Sequence, residues 1–157
     1  MKSAFDTSAL TARAEVAIDV ARKVGREAAR FRREGNPGAL HVENKGLQDF
    51  VTVADRQAEQ AIREGLLARF PDDTFMGEES GGKSGSAGTW VVDPIDGTTN
   101  YIRGFRHWGV SIAFVVGGKV EIGVVYDAAN DQVFSAIRGR GALKEGQPIH
   151  AAPTTDP

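Results

Sequence analysis

The stretch that most constrains this chain is Trp90-Val91-Val92-Asp93-Pro94-Ile95-Asp96-Gly97-Thr98-Thr99-Asn100. Its short apolar run, Trp90 to Val92, predicts a buried strand. Asp93 closes that run, and Pro94, with no N–H to give a neighbour, is expected to stop the strand. Asp96 adds a second carboxylate three residues on. Gly97 lets the backbone turn and approach a ligand closely. Thr98, Thr99 and Asn100 are all favourable N-cap residues, so a helical turn is expected to start among them. Acids with oxygen-only neighbours suit a hard cation such as Mg²⁺, and a helix N-terminus suits a phosphate. Locally the pattern has two readings: a magnesium-dependent phosphatase site, or an ordinary Asp-, Gly- and Thr-rich turn after a strand.

At 157 residues the chain is one domain long, with enough length to bury a core. Its 41 % hydrophobic and 25 % charged residues are those of a globular protein. A net charge of −2 provides no general pull toward nucleic acid or an anionic membrane. The absence of cysteine excludes disulfides, thiolate metal sites and a cysteine nucleophile. No stretch approaches the roughly 18 apolar residues of a membrane span, and Met1 to Ala17 lacks a signal-peptide core. The expectation is a soluble, cytoplasmic protein. His41, His107 and His150 lie far apart, which argues against a histidine-rich metal site.

Taken in order, Ser8 to Arg33 reads as one long amphipathic helix, ended by Gly35-Asn36-Pro37-Gly38. Leu40 to Glu43 reads as a short strand and Lys45 to Asp49 as a loop. Asp55 or Thr52 then caps a second helix whose Ala58, Ile62 and Leu66 form an apolar stripe. Pro71-Asp72-Asp73 closes it. Thr74 to Gly77 reads as a strand with Glu78 and Glu79 at its end, and Ser80 to Gly88 as the most flexible segment. The strand-plus-acid pattern thus occurs twice. If both strands share one sheet, both acid sets meet at one edge. Arg103, Arg106 and His107 could face an anionic substrate or simply be exposed. The last third is β-rich: strands at 110–116, 120–126 and 133–137, with turns at Gly117-Gly118, Asn130-Asp131 and Glu145-Gly146. Ala151 to Pro157 reads as a linker or tail.

Asp49-Phe50-Val51-Thr52-Val53-Ala54-Asp55, Gly77-Glu78-Glu79-Ser80 and Trp90 to Tyr101 stand in the order and spacing of a known family, as do Val110-Ser111-Ile112-Ala113 and Gly123-Val124-Val125-Tyr126. The chain resembles the inositol monophosphatases, Mg²⁺-dependent, lithium-sensitive sugar phosphatases. The resemblance implies an α/β (α+β) fold: the N-terminal portion of a layered αβαβα architecture, two long helices against a largely antiparallel sheet. Residues 1–150 would form that N-terminal domain and 151–157 a truncated linker. The family's C-terminal domain would be absent. Its Trp-Asp motif is missing here, since Val91 follows Trp90 and Gly109 follows Trp108.

The resemblance also implies roles. Glu78, Asp93 and the Ile95 carbonyl look like ligands of a first Mg²⁺. Asp93 would bridge to a second, also held by Asp96. Glu79 would serve the activating metal region. Asp55 and Thr98 would orient the attacking water and take its proton. The backbone N–H groups of Gly97 and Thr98 would hold the phosphate, with Asp96 and Lys45 close to the substrate. The implied substrate is inositol 1-phosphate or a related sugar phosphate. A homodimer is expected, with no direct nucleic-acid or membrane partner. The competing reading is a catalytically incomplete short form that acts as a protein-binding module, for example with the transcription machinery.

Overall fold

The computed structural model describes residues 5–34, 42–44, 50–83, 85 and 87–152. Lys45, the loop 45–49 and residues 153–157 of the tail lie outside the described residues. The elements run α1 (Thr7–Glu34), β1 (Val42–Asn44), β2 (Phe50–Thr52), α2 (Val53–Leu67), β3 (Thr74–Gly77), β4 (Gly81–Gly82), β5 (Thr89–Asp96), α3 (Thr98–Arg103), β6 (Gly109–Val116), β7 (Lys119–Asp127), β8 (Gln132–Ile137), β9 (Ala142–Lys144) and β10 (Gln147–Ile149). β1 and β2 pair with each other. The other strands form one sheet in the order β10-β9-β8-β7-β6-β5-β3-β4. Every neighbouring pair in it is antiparallel except β3 with β5. The mixed α/β architecture with a largely antiparallel open sheet is the one expected.

Small residues let α1 lie close on the sheet. Its buried side is Leu10, Ala14, Ala17, Ala21, Val24, Gly25 and Ala28. At Gly25 a Cβ would fall 2.2 Å from the Tyr126 ring, so only glycine admits this approach. The Tyr101 hydroxyl donates to the Ala28 carbonyl at 2.9 Å, which ties α3 to α1. Trp90, Val110, Ile112, Phe114, Ile122, Val124 and Tyr126 fill the core. Alternation along the strands puts their neighbours on the other face, where Val91 and Val125 remain 38 % and 46 % exposed.

Two local expectations need correction. The strand does not stop at Pro94: β5 runs on to Asp96. Pairing with β6 lapses after Asp93–Ser111 and resumes at Asp96–Gly109, so an irregularity absorbs the missing N–H. The cap of α3 is Gly97, not Thr98, Thr99 or Asn100, which form the first helical turn. Gly97 has φ 92° and ψ 39°, and no side chain caps the helix. A Cβ there would lie 2.9 Å from the His107 carbonyl oxygen, so the left-handed turn and the close approach both call for glycine. After Glu79, the described Gly81, Gly82 and Gly85 are more engaged than the composition there suggests. Gly81 and Gly82 pair with Gly77 and Met76, and the Gly85 N–H lies 3.0 Å from Thr74 Oγ1 and 3.1 Å from Thr89 Oγ1.

Candidate active site at the ends of two parallel strands

The parallel pairing of β3 with β5 sets Gly77 opposite Val92. Both strands therefore deliver their following acids to one edge. The Glu78 N–H donates to the Val92 carbonyl at 3.0 Å, which seats Glu78 beside Asp93. Asp93 is half-buried, and its Oδ1 is buried with no hydrogen-bond partner. Its pKa is pushed up to about 7. Burial is the main cause, followed by a hydrogen bond with Glu78 and by the charges of Glu78 and Asp96. A backbone hydrogen bond at Ile95 acts in the opposite direction. Asp96 itself is exposed.

A second constellation meets the first at Ile95. Asp55, 2 % exposed, stands in the first turn of α2, where the helix dipole favours a carboxylate. It does more than begin a helix, because Thr98 Oγ1 lies 3.3 Å from Asp55 Oδ1 and 3.0 Å from the Ile95 carbonyl oxygen. One hydroxyl has one proton, so it donates to one of these acceptors at a time. The Ile95 oxygen keeps a second lone pair for another partner. Burial raises the Tyr101 pKa to about 12, and the charge of Asp55 acts in the same direction.

The predicted site residues Asp55, Thr98, Ile95, Asp93, Glu78, Asp96 and Gly97 thus lie along one β5–α3 junction and the elements packed on it. Glu79 follows Glu78 in the same turn. Arg106 does not join them. Its Nη2 donates to the Ala129 carbonyl at 2.6 Å, and it lines a cavity of about 580 Å³ with Arg26, Arg30 and Arg33 of α1. His107 contributes its carbonyl, which accepts from Asn100 Nδ2 at 2.7 Å.

One residue of this neighbourhood escapes the sequence reading. Glu59, 5 % exposed, accepts the N–H groups of Glu79 at 2.7 Å and Ser80 at 2.9 Å. The available signal was its place on the apolar stripe of α2. Asp55 and Glu59 are i, i+4 acids among Ala58, Ile62 and Leu66, and acids on a buried face require partners.

The donor set around Asp93 consists of oxygens only, and the orphaned Asp93 Oδ1 is an acceptor that lacks a positive partner. Both features fit a hard divalent cation. Among the described residues, no three His, Asp or Glu side chains are drawn into one coordination group. Nor is any helix among them long and apolar enough to cross a membrane.

Helices on one face of an open, largely antiparallel sheet, with acids at the ends of its parallel pair, define a protein of the layered sugar-phosphatase type. The chain belongs to the inositol monophosphatase family, whose model matches residues 10–156. Inositol monophosphatase 3 of Solanum lycopersicum is 41 % identical over 137 residues, which are 84 % of this chain and 51 % of that protein. Nus factor SuhB of Escherichia coli K12 is 38 % identical over 143 residues, 90 % of this chain and 53 % of that one. Among solved structures, the extragenic suppressor protein SuhB of Bartonella henselae superposes with a TM-score of 0.83 at 37 % identity, covering 88 % of this chain and 54 % of the other. An IMPase of Thermotoga maritima gives 0.80 at 33 %, covering 89 % and 54 %. The chain spans about half the length of the curated relatives it matches.

Proposed function

We propose that this chain carries the metal-binding and water-activating half of a Mg²⁺-dependent phosphomonoesterase acting on inositol 1-phosphate or a related sugar phosphate. The observation that supports it most is the meeting of Glu78 and the orphaned Asp93 Oδ1 at adjacent strand ends, beside the Asp55–Thr98 pair. Membership of a family of Mg²⁺-dependent phosphatases supports the same reading.

Glu78, Asp93, Asp96 and the Ile95 carbonyl are the groups that would hold Mg²⁺, with Glu79 in the adjoining position. When bound, the metal supplies charge neutralisation of the phosphate and acidification of a water. The chain's own residues provide the rest. Asp55, held in the low-dielectric first turn of α2, accepts a hydrogen bond from the Thr98 hydroxyl and would take its proton only as the water's proton passes to Thr98. That leaves the Thr98 oxygen free to accept from the attacking water and aim it. The N–H groups of Gly97 and Thr98, at the left-handed turn that Gly97 permits, would hold the phosphate. The proposal also puts Lys45, outside the described residues, near the substrate and pairs two copies of the protein as a homodimer.

Phosphate release from inositol 1-phosphate tests this directly. It should require Mg²⁺ and be abolished in Asp93→Asn, together with metal binding. Thr98→Ala should slow turnover by about 10²-fold or more with the metal still bound. Equal loss of metal in both variants would sink the separation of roles.

A second reading has its own support. Some relatives bear the name Nus factor SuhB, and the open sheet face exposes Val91 and Val125. On that reading the chain is a protein-binding module of the transcription machinery. It predicts a folded chain with no Mg²⁺-dependent phosphate release.

A further inference from the structure

We infer that Glu59 is a positioning residue for the proposed site: its carboxylate clamps the turn that carries Glu78 and Glu79. This rests on the metal-site reading above and adds to it a residue on a different element.

The turn is held at three successive N–H groups. The Glu78 N–H donates to the Val92 carbonyl of β5, and the next two, of Glu79 and Ser80, donate one to each oxygen of Glu59. These bonds fix the peptide planes on both sides of Glu79. They also fix the direction in which the Glu78 and Glu79 side chains leave the backbone. Hydrogen bonds to an ionised carboxylate are stronger than neutral ones, and this carboxylate is buried.

The seat for the carboxylate is made by Gly77. A Cβ at that position would lie 2.3 Å from the Glu59 carboxyl carbon and from Oε2, and 2.5 Å from Oε1. Gly77 sits in β3 without a positive φ, so its glycine is required by this approach and not by the turn. Gly77, Glu78, Glu79 and Ser80 are thus one unit: a gap, two acids and an anchor, all keyed to a side chain of α2. Without the clamp, two adjacent acids at a strand end would repel and spread into water. With it, Glu78 stays beside Asp93. Partners that orient metal ligands in this way commonly alter affinity by about 10- to 100-fold when removed.

The test compares Glu59→Gln, Gly77→Ala and a core control, Val133→Ala, in the full chain. Glutamine keeps the size and one acceptor but presents an amide donor to the second N–H. Amide hydrogen exchange at Glu79 and Ser80, without metal, reads the clamp alone. It should quicken in Glu59→Gln and Gly77→Ala and stay unchanged in Val133→Ala. Mn²⁺ affinity, read by electron paramagnetic resonance, should weaken by about 10-fold or more in the first two variants and hold in the third. Unchanged exchange in Glu59→Gln overturns the clamp. Faster exchange with unchanged Mn²⁺ affinity overturns its positioning role. Faster exchange in Glu59→Gln, together with a wild-type chain that binds no Mn²⁺, leaves the clamp in place but overturns both its role toward the metal and the metal-site reading.

Discussion

Asp73 and Asp93 are two aspartates of the same sheet, one just before β3 and one near the end of β5, and their surroundings are opposite. Asp73, 5 % exposed, accepts Arg13 Nε and Nη2 at 2.9 Å each and Trp90 Nε1 at 3.0 Å. The Arg13 guanidinium also lies over the rings of Phe5, Phe70 and Phe114. Asp93 has an oxygen without a partner, and its charged neighbours are Glu78 and Asp96, acids like itself. Folding therefore satisfies one carboxylate and leaves the other short of positive charge. A buried acid with its full set of donors is part of the scaffold. One held among other acids is prepared for something the chain does not itself supply.

The largest effect should come from breaking the satisfied acid. Arg13→Ala strands Asp73 and removes the cation from three rings, which should cost about 3–5 kcal/mol in urea unfolding. Asp93→Asn should do the reverse in metal-free buffer. A neutral amide replaces a carboxylate crowded by acids, so stability at neutral pH should rise, by about 1 kcal/mol because water still reaches part of the group. A fall as large as that of Arg13→Ala would erase the contrast.

The pH dependence sharpens it further. The Asp93 pKa lies near 7 in the folded chain against an ordinary 3.8, so between these values the folded state holds a proton that the unfolded state has lost. The contribution of this group to stability is therefore present below about pH 4, falls as the pH rises toward 7 and levels off above. Urea midpoints in chelator at pH 5 and pH 8 should show that decline in the wild type and not in Asp93→Asn. The smallest effect belongs to the surface. Arg30 and Glu34 are an exposed i, i+4 pair at 3.9 Å, and Arg30→Ala should shift stability by no more than about 0.5 kcal/mol.

Much of this arrangement was legible in the chain. α1 follows its helical stripe to within a residue or so at each end, and the β-hairpins after Gly109 fall where the turn residues Gly117-Gly118 and Asn130-Asp131 stand. Pro94 misled, because a proline ends a strand only where a regular ladder must continue, and here the pairing with β6 shifts around it. The cap of α3 misled as well. Thr98, Thr99 and Asn100 all suit a side-chain cap, but the Thr98 hydroxyl lies against Asp55, the partner the resemblance implies for it, and against Ile95, and the turn is made by the left-handed backbone of Gly97. The place of Glu59 on the buried stripe of α2 marks it as an acid that needs partners, but those partners are backbone N–H groups 20 and 21 residues away, which no local pattern identifies.

The sequence by itself determined which segments become helix or strand and where the carboxylates fall along them. Those outcomes rest on periodicity, turn chemistry and the conformational limits of Gly and Pro, which act within a few residues. Only the tertiary structure decided that β3 and β5 run parallel, that Glu78 therefore comes to lie beside Asp93, and that Asp73 meets Arg13 from 60 residues away while Asp93 meets no cation among the described residues. Such pairings are selected by the packing of the whole core, where the burial of Trp90, Phe114 and their neighbours outweighs the electrostatic cost of leaving one acid unsatisfied.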